Sequence, residues 1–495
     1  MNKKIATNTL AQIGAKFFTA LISIFLIKIL TNYLDLAGYG LYSKIYNYLG
    51  IFAFLADLGL YAISIREISK NKENSEKIVG NVLTLRTILG GFIILIALIT
   101  ALFLPGYNSQ VALSAIFIVG IFTVFGLINS SIMSLMQANL KAEFSLISTV
   151  TGKIFNITAI IFIVYFLFPK DSFDNANIMP FLAIMGAGLL GNIVMTVLNY
   201  FYARKICNIK YRFDTEYIKY IFKISLPYGL ALFLSMVYFK VDVILLSILE
   251  PTTQADISIA LYSVPMKIIE VLMILSGFFL NSMLPVFTES FKNKNLKKLK
   301  SSVENAFYIL FSLGYGILFC GILFRDRIIE FVARSEYLDR GLYQYTSSDA
   351  FLIALFAFFF YIISNLFIYI LIGTDKQKKL LKINSIVTVF NIIGNILVIP
   401  KFSFIGAAVI TVLSQILLLI LAGFEIRKII KLKINILYII FTVFIGIGLS
   451  IFGSYLLTNF SFGNYLDVFI FGGFIFALYS LLCYINIGKS ILKNR

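Results

Sequence analysis

Residues 40–52, GLYSKIYNYLGIF, and residues 260–272, ALYSVPMKIIEVL, carry Leu-Tyr-Ser in register at an offset of 220 residues. Each stretch follows a turn and opens a long apolar run. Such runs recur along the chain, and a helix needs about 20 apolar residues to cross the hydrocarbon core. Crossing helices are expected near 9–33, 41–65, 79–104, 110–135, 145–168, 179–203, 220–249, 257–288, 303–324, 348–373, 381–400, 405–426, 435–457 and 465–487. The runs are continuous and do not alternate, which excludes a β-barrel. The expected fold is therefore all-α and integral to the membrane, with about fourteen transmembrane helices. The offset divides them into an N-terminal lobe of six (1–210), a C-terminal lobe of six (211–430) and a final pair (431–495). Six spans preserve orientation, so the repeat is parallel, with its axis along the membrane normal.

Composition agrees. Apolar residues make up 60% of the 495, charged residues only 13%, and the mean hydropathy is +0.93. A soluble domain carries roughly 25% charged residues. The net charge of +18 does not point to nucleic acid, because the basic residues sit in short gaps between apolar blocks. With the N-terminus inside, the inner segments hold 28 of the 42 Lys and Arg and the outer ones 6. One missed or invented helix in mid-chain would erase that asymmetry. Both termini are thus expected on the cytoplasmic side of the cell membrane, with Lys3 and Lys4 leading into an uncleaved first helix. Histidine is absent, and Cys207, Cys320 and Cys483 are scattered, so neither a metal centre nor a disulfide framework is expected. The longest loop, 325–347, is too short for a catalytic domain and reads as a short amphipathic surface helix; no enzyme is expected.

Ionisable residues inside a membrane cost about 2.5–3.5 kcal/mol each on insertion scales and usually face protein or water. Ten fall within the spans: Lys16, Lys28, Lys44, Asp57, Arg86, Lys153, Lys240, Asp242, Lys267 and Glu270. Helical phase sorts them. Gln12, Lys16, Thr19 and Ser23 form one stripe on the first helix; Ser43, Asn47, Gly50, Asp57 and Tyr61 form one on the second. Ser263, Lys267, Glu270, Gly277 and Asn281 form one on the eighth, and the 220-residue offset superposes Asn47 on Lys267 and Gly50 on Glu270. These stripes are expected to line one cavity. Seven cations against three acids would make it favour an anion. Lys28 and Lys44 read as interfacial anchors. Arg86 and Lys153 read equally well as anchors or as cavity residues. Lys267 and Glu270, spaced i, i+3, could also simply neutralise each other.

The segments LDLAGYGLYS (34–43), ADLGL (56–60), SLPYGLALFLSMVYFKVDVILLSIL (225–249) and NSMLPVF (281–287) resemble, in order and spacing, the oligosaccharide-flippase family. That family belongs to the superfamily that also holds lipid II flippases and multidrug exporters. The resemblance implies two six-helix lobes rocking about a central cationic cavity. In the lipid II flippases a basic residue three before a glutamate contacts the diphosphate, and Lys267 and Glu270 match that pair. The same relatives hold sodium with side chains whose places are taken here by Asp242, Asn391, Asn395 and Thr411. Asn395 departs from the family's aspartate, which leaves one carboxylate where the family site has two. The terminal helix pair resembles the lipid-tail groove of the lipid II flippases.

The expectation is a flippase that inverts a polyprenyl-(pyro)phosphate-linked oligosaccharide. Lys16, Lys267 and Glu270 would be at the phosphate, Arg86 and Lys240 would form a second tier, and Asn47 and Gln12 would lie on the wall. No cofactor is expected beyond Na+ or H+ as coupling ion. Expected partners are the lipid-linked substrate, membrane lipids and glycan-assembly enzymes, with the chain itself a monomer. The alternatives are a cation-coupled multidrug exporter of the same superfamily, which should show embedded acids in excess, and a membrane glycan polymerase, which should carry a larger external loop.

Overall fold

A computed structural model describes residues 2–170, 178–341, 343–460 and 464–493; these are almost entirely helical, with no strand among them. In chain order the helices are α1 (Asn2–Tyr33), α2 (Leu36–Asp57), α3 (Leu60–Lys70), α4 (Ser75–Phe103), α5 (Gln110–Ala138), α6 (Ala142–Phe162), α7 (Met179–Ala203) and α8 (Thr215–Leu249). They continue with α9 (Thr252–Lys292), α10 (Leu296–Leu323), α11 (Arg325–Val332), α12 (Ser347–Gly373), α13 (Gln377–Arg427), α14 (Ile436–Asn459), α15 (Asn464–Asp467) and α16 (Gly473–Lys493).

Thirteen continuous segments of the described residues are long and apolar enough to cross a membrane. One of them, α13, has 51 residues. At 1.5 Å per residue it would run roughly 76 Å, more than twice the hydrocarbon thickness. It breaks at Ser403 (φ 51°, ψ −143°), just after Pro400. Proline cannot donate to the helix ladder, and the chain turns there into a second crossing. With that break the described residues hold fourteen segments long and apolar enough to cross, the number the apolar runs predict.

A second break was not legible in hydropathy. The crossing 36–70 is interrupted between α2 and α3, where Leu58 (φ 40°) and Gly59 (φ 74°) are both left-handed. The Leu58 amide closes α2 on the Phe54 carbonyl at 3.0 Å. The α8 backbone passes the break at Gly229, where an added Cβ would lie 2.2 Å from the Leu58 carbonyl carbon. Only glycine permits that approach.

The chain divides into two compact units, residues 1–260 and 261–495. In the first, α5 packs against α4 and α7, α6 packs against α1 and α7, and α8 lies along α2. The α6–α7 crossing is set by Gly152 and Gly191, since a Cβ on either would stand under 3.0 Å from the other's carbonyl. Small residues of this kind bring helices close where lipid gives no hydrophobic drive to associate. In the second unit α12 packs along α13 and α10, while α14 and α16 pack on α10. There Phe319, Phe324, Ile475 and Tyr479 form a buried cluster. The short helix expected after residue 325 is α11; Ile329 and Val332 are buried and Arg327 pairs with the buried Asp467.

The connector 204–214 is strapped onto the start of α4. The Asp214 amide donates to Asn81 Oδ1 at 2.7 Å, the Arg212 amide to the Gly80 carbonyl at 3.3 Å, and Arg212 pairs with Glu76 at 2.5 Å. Lys77 lies 2.7 Å from Asp214 and, with backbone donors at the start of α8, holds its carboxyl below the usual carboxylate range. A depressed folded-state pKa stabilises above the unfolded value of about 3.9 and is lost as pH falls through the folded one. Amide exchange across 204–214, corrected for intrinsic rate, should therefore stay slow at pH 6 to 8 and accelerate only below pH ~4. It should also quicken in high salt, because the pair is solvent-screened.

Candidate functional site

The embedded charges fall into two kinds once their partners are known. In the first unit Arg86, on α4, is fully buried. Its guanidinium pairs with Asp57 on α2 and donates to Ser131 Oγ on α5 at 3.0 Å. Tyr61 donates to Gln137 alongside. The helix break after Asp57 ends α2 where this carboxylate meets Arg86. The pair ties three helices of one unit together, and Arg86 would have to abandon Asp57 to meet a ligand.

Lys44 is no interfacial anchor. It is 2% exposed and lies 2.5 Å from Asp256 at the start of α9, with its ammonium 5.3 Å from the Tyr107 ring centre. The anchor expectation failed because hydropathy shows no partner 212 residues away. Burial pushes the Tyr107 phenol well above its ordinary value, so it stays neutral beside the ammonium. Asp256, Tyr107 and Ser131 were not singled out by sequence; the only available signal was that a buried lysine demands an anion.

The other kind is accessible. Lys267 and Glu270 sit on α9, two and five residues beyond Pro265, with Nζ 2.7 Å from the carboxylate. Their side chains are 38% and 44% exposed, so each keeps room for a further partner. In the first unit the Lys240 ammonium donates to Asn47 Oδ1 at 3.1 Å, and its stem fills the space left by Gly50, whose added Cβ would stand 3.3 Å from the Lys240 Cδ. Asn47 and Lys267, aligned by the sequence offset, thus each lie at an ammonium, that of Lys240 from α8 and that of Lys267 itself. Lys16 is exposed on α1. The side chain of Gln12 lies outside the described residues.

Asn391, Asn395 and Thr411 all lie buried in the second unit. Asn395 Nδ2 donates to the Asn391 carbonyl at 3.0 Å and to Asn391 Oδ1 at 3.1 Å, while Asn391 Nδ2 donates to Ser414 at 3.2 Å. Thr411 lies 3.4 Å from the Tyr262 hydroxyl. Asn391 and Asn395 are thus neutral amides bonded to each other. Asp242 is fully buried in the other unit. No group of three or more Cys, Asp or Glu among the described residues could hold a metal.

The comparisons with known proteins agree on the fold. A family model described as polysaccharide biosynthesis protein matches residues 5–291, and one described as MatE matches residues 227–397. Among curated proteins none matches the sequence. The structure is similar to that of the lipid II flippase MurJ in an inward closed conformation, with a TM-score of 0.68 at 17% identity over 97% of this chain and 99% of that one. It is also similar to an inward-facing multidrug resistance MATE transporter, with a TM-score of 0.65 at 12% identity over 85% of this chain and 95% of that one. A third, from Pyrococcus furiosus, is a transporter of the same superfamily described as having a reversed polarity of its binding pocket; it gives 0.59 at 15% identity over 86% and 97%.

Proposed function

The chain belongs to the polysaccharide biosynthesis protein family, and from that premise we propose that it is a flippase for a polyprenyl-(pyro)phosphate-linked oligosaccharide. It is a multi-pass membrane transporter; in this reading it works in the cytoplasmic membrane, with both termini inside, by alternating access through a cationic cavity. The observation that carries the reading is Lys267, an accessible ammonium on a membrane helix, while Lys44 and Arg86 are buried in ion pairs. A phosphate anion has every reason to seek such a group, since ammonium–phosphate hydrogen bonds are charge-assisted. Lys16 is the second candidate for the phosphate, and Lys240 with Asn47 would meet the first sugars. Arg86 leaves this set and becomes the strut of its unit.

A multidrug exporter for organic cations would repel its substrate from this lysine. The discriminating measurement is reconstitution. Proteoliposomes holding the chain should render a fluorescent polyprenyl-diphosphate oligosaccharide accessible to a reagent on the opposite side, and should leave a fluorescent organic cation untouched. Movement of the cation alone would overturn the proposal.

A further inference from the structure

In the second unit, an apolar cavity of about 690 Å³ lies between α12, the end of α13 and the segment that leads to α14. Phe367 forms its α12 wall, Gly423 and Phe424 its α13 wall. The third wall is the sequence Ile430-Lys431-Leu432-Lys433-Ile434, which has no regular secondary structure. Its apolar residues Ile430, Leu432 and Ile434 all line the cavity, alternating with the two lysines. This strap is pinned from behind: the Lys433 amide donates to Glu304 at 2.6 Å and the Asn435 amide to Tyr308 at 2.9 Å, both on α10. The cavity is therefore held open by backbone bonds and is not an accident of loose packing.

Its chemistry restricts what fills it. Apart from Arg427 and Lys431 the side chains that line it are all apolar, and a sugar needs several polar partners. Ile420 and Phe424 are half exposed on a crossing helix, where the neighbour is hydrocarbon. At the rim stand Arg427 and Lys431, both exposed. Glu425, on the same turn as Arg427, is engaged by Lys428 at 2.7 Å, and Glu304 accepts from the Lys433 amide. An apolar slot with two cations at its mouth matches a chain-bearing anion.

We propose that this cavity binds an anionic phospholipid from the leaflet on the basic-loop side, with an acyl chain between Phe367, Gly423 and Leu432 and the phosphate against Arg427 and Lys431. The lipid staples the strap, and with it the appended helices α14 and α16, to α12 and α13.

The test is lipid retention by the purified chain in a neutral detergent, read by native mass spectrometry during titration with phosphatidylglycerol or phosphatidylcholine. Phosphatidylglycerol should be retained in preference. Each basic group near a lipid surface contributes about fivefold, so Arg427→Gln with Lys431→Gln should weaken phosphatidylglycerol by about 30-fold and leave phosphatidylcholine unchanged. Gly423→Leu should displace both lipids. An added Cβ there meets only Phe367 at 3.5 Å, so the larger side chain grows into the slot without disturbing the fold. Unchanged phosphatidylglycerol retention in both variants would refute the site. So would equal retention of inorganic phosphate, which would make it a surface anion site with no use for the slot. Displacement of the phospholipid by an equimolar polyprenyl phosphate would also refute it, by assigning the slot to the transported lipid.

Discussion

Asp57→Ala is expected to unfold the first unit more readily than Arg86→Met, although both break the same ion pair. Removing one partner of a buried pair costs about 3–5 kcal/mol, chiefly for the charge left behind. Here the survivors differ. Without Arg86, Asp57, already 24% exposed, can hydrate. Without Asp57, Arg86 remains fully buried, donating to Ser131 among the described residues, and a guanidinium cannot shed its proton. The chain has no tryptophan, but Cys207 of the first unit is a free, half-buried thiol. Its alkylation in detergent should quicken by about a hundredfold or more in Asp57→Ala, from a loss of about 3 kcal/mol, and less in Arg86→Met. The double variant Asp57→Leu with Arg86→Met should recover most of the protection, because two apolar groups of similar volume replace both charges. Equal damage in both single variants, with no recovery in the double, would show that packing and not charge holds this junction.

The sequence carries the fold almost entirely, since fourteen apolar runs and a basic-loop bias are summed over many residues and tolerate local error. The break at Ser403 is signalled by Pro400. The break at Leu58–Gly59 is not signalled, because a lone glycine within an apolar run is common and the left-handed leucine depends on the α8 backbone at Gly229. Charge partners were half legible. Lys267 and Glu270 are one helical turn apart, and spacing alone finds them. Lys44 with Asp256 and Arg86 with Asp57 join helices distant in sequence, so periodicity identifies the faces without saying what meets there. The Leu-Tyr-Ser offset pairs positions 47 and 50 with 267 and 270 in sequence; in the structure Asn47 accepts from the Lys240 ammonium, and Lys267 pairs with Glu270. That the first unit imports its ammonium from Lys240 could not be read from α2.

Lys267→Ala should abolish surface glycan while the protein accumulates and folds as before. The two halves of that expectation rest on the same exposure. Both side chains of the Lys267–Glu270 pair are more than one-third exposed, and such pairs contribute at most about 1 kcal/mol to stability. Truncation should therefore leave thiol protection at Cys320 and Cys483 at wild-type levels. A phosphate bound in a lipid-walled cavity loses water that only charged donors can replace, and each charge-assisted bond is worth about 1.5–3 kcal/mol. Losing one should slow flipping by roughly 10- to 100-fold, enough to starve a surface polymer. Lys267→Arg should retain most activity, since the charge persists, although a planar fork replaces a point donor. Glu270→Gln separates positioning from charge: the ammonium stays, so substrate affinity should hold or rise as competition from the carboxylate ends. Exchanging the pair, Lys267→Glu with Glu270→Lys, keeps the local net charge and moves the cation by three residues, about 4.5 Å along α9. If geometry matters, the exchanged chain should be as inactive as Lys267→Ala; if only net charge matters, it should transport. Wild-type glycan in Lys267→Ala would remove this lysine from the substrate path altogether.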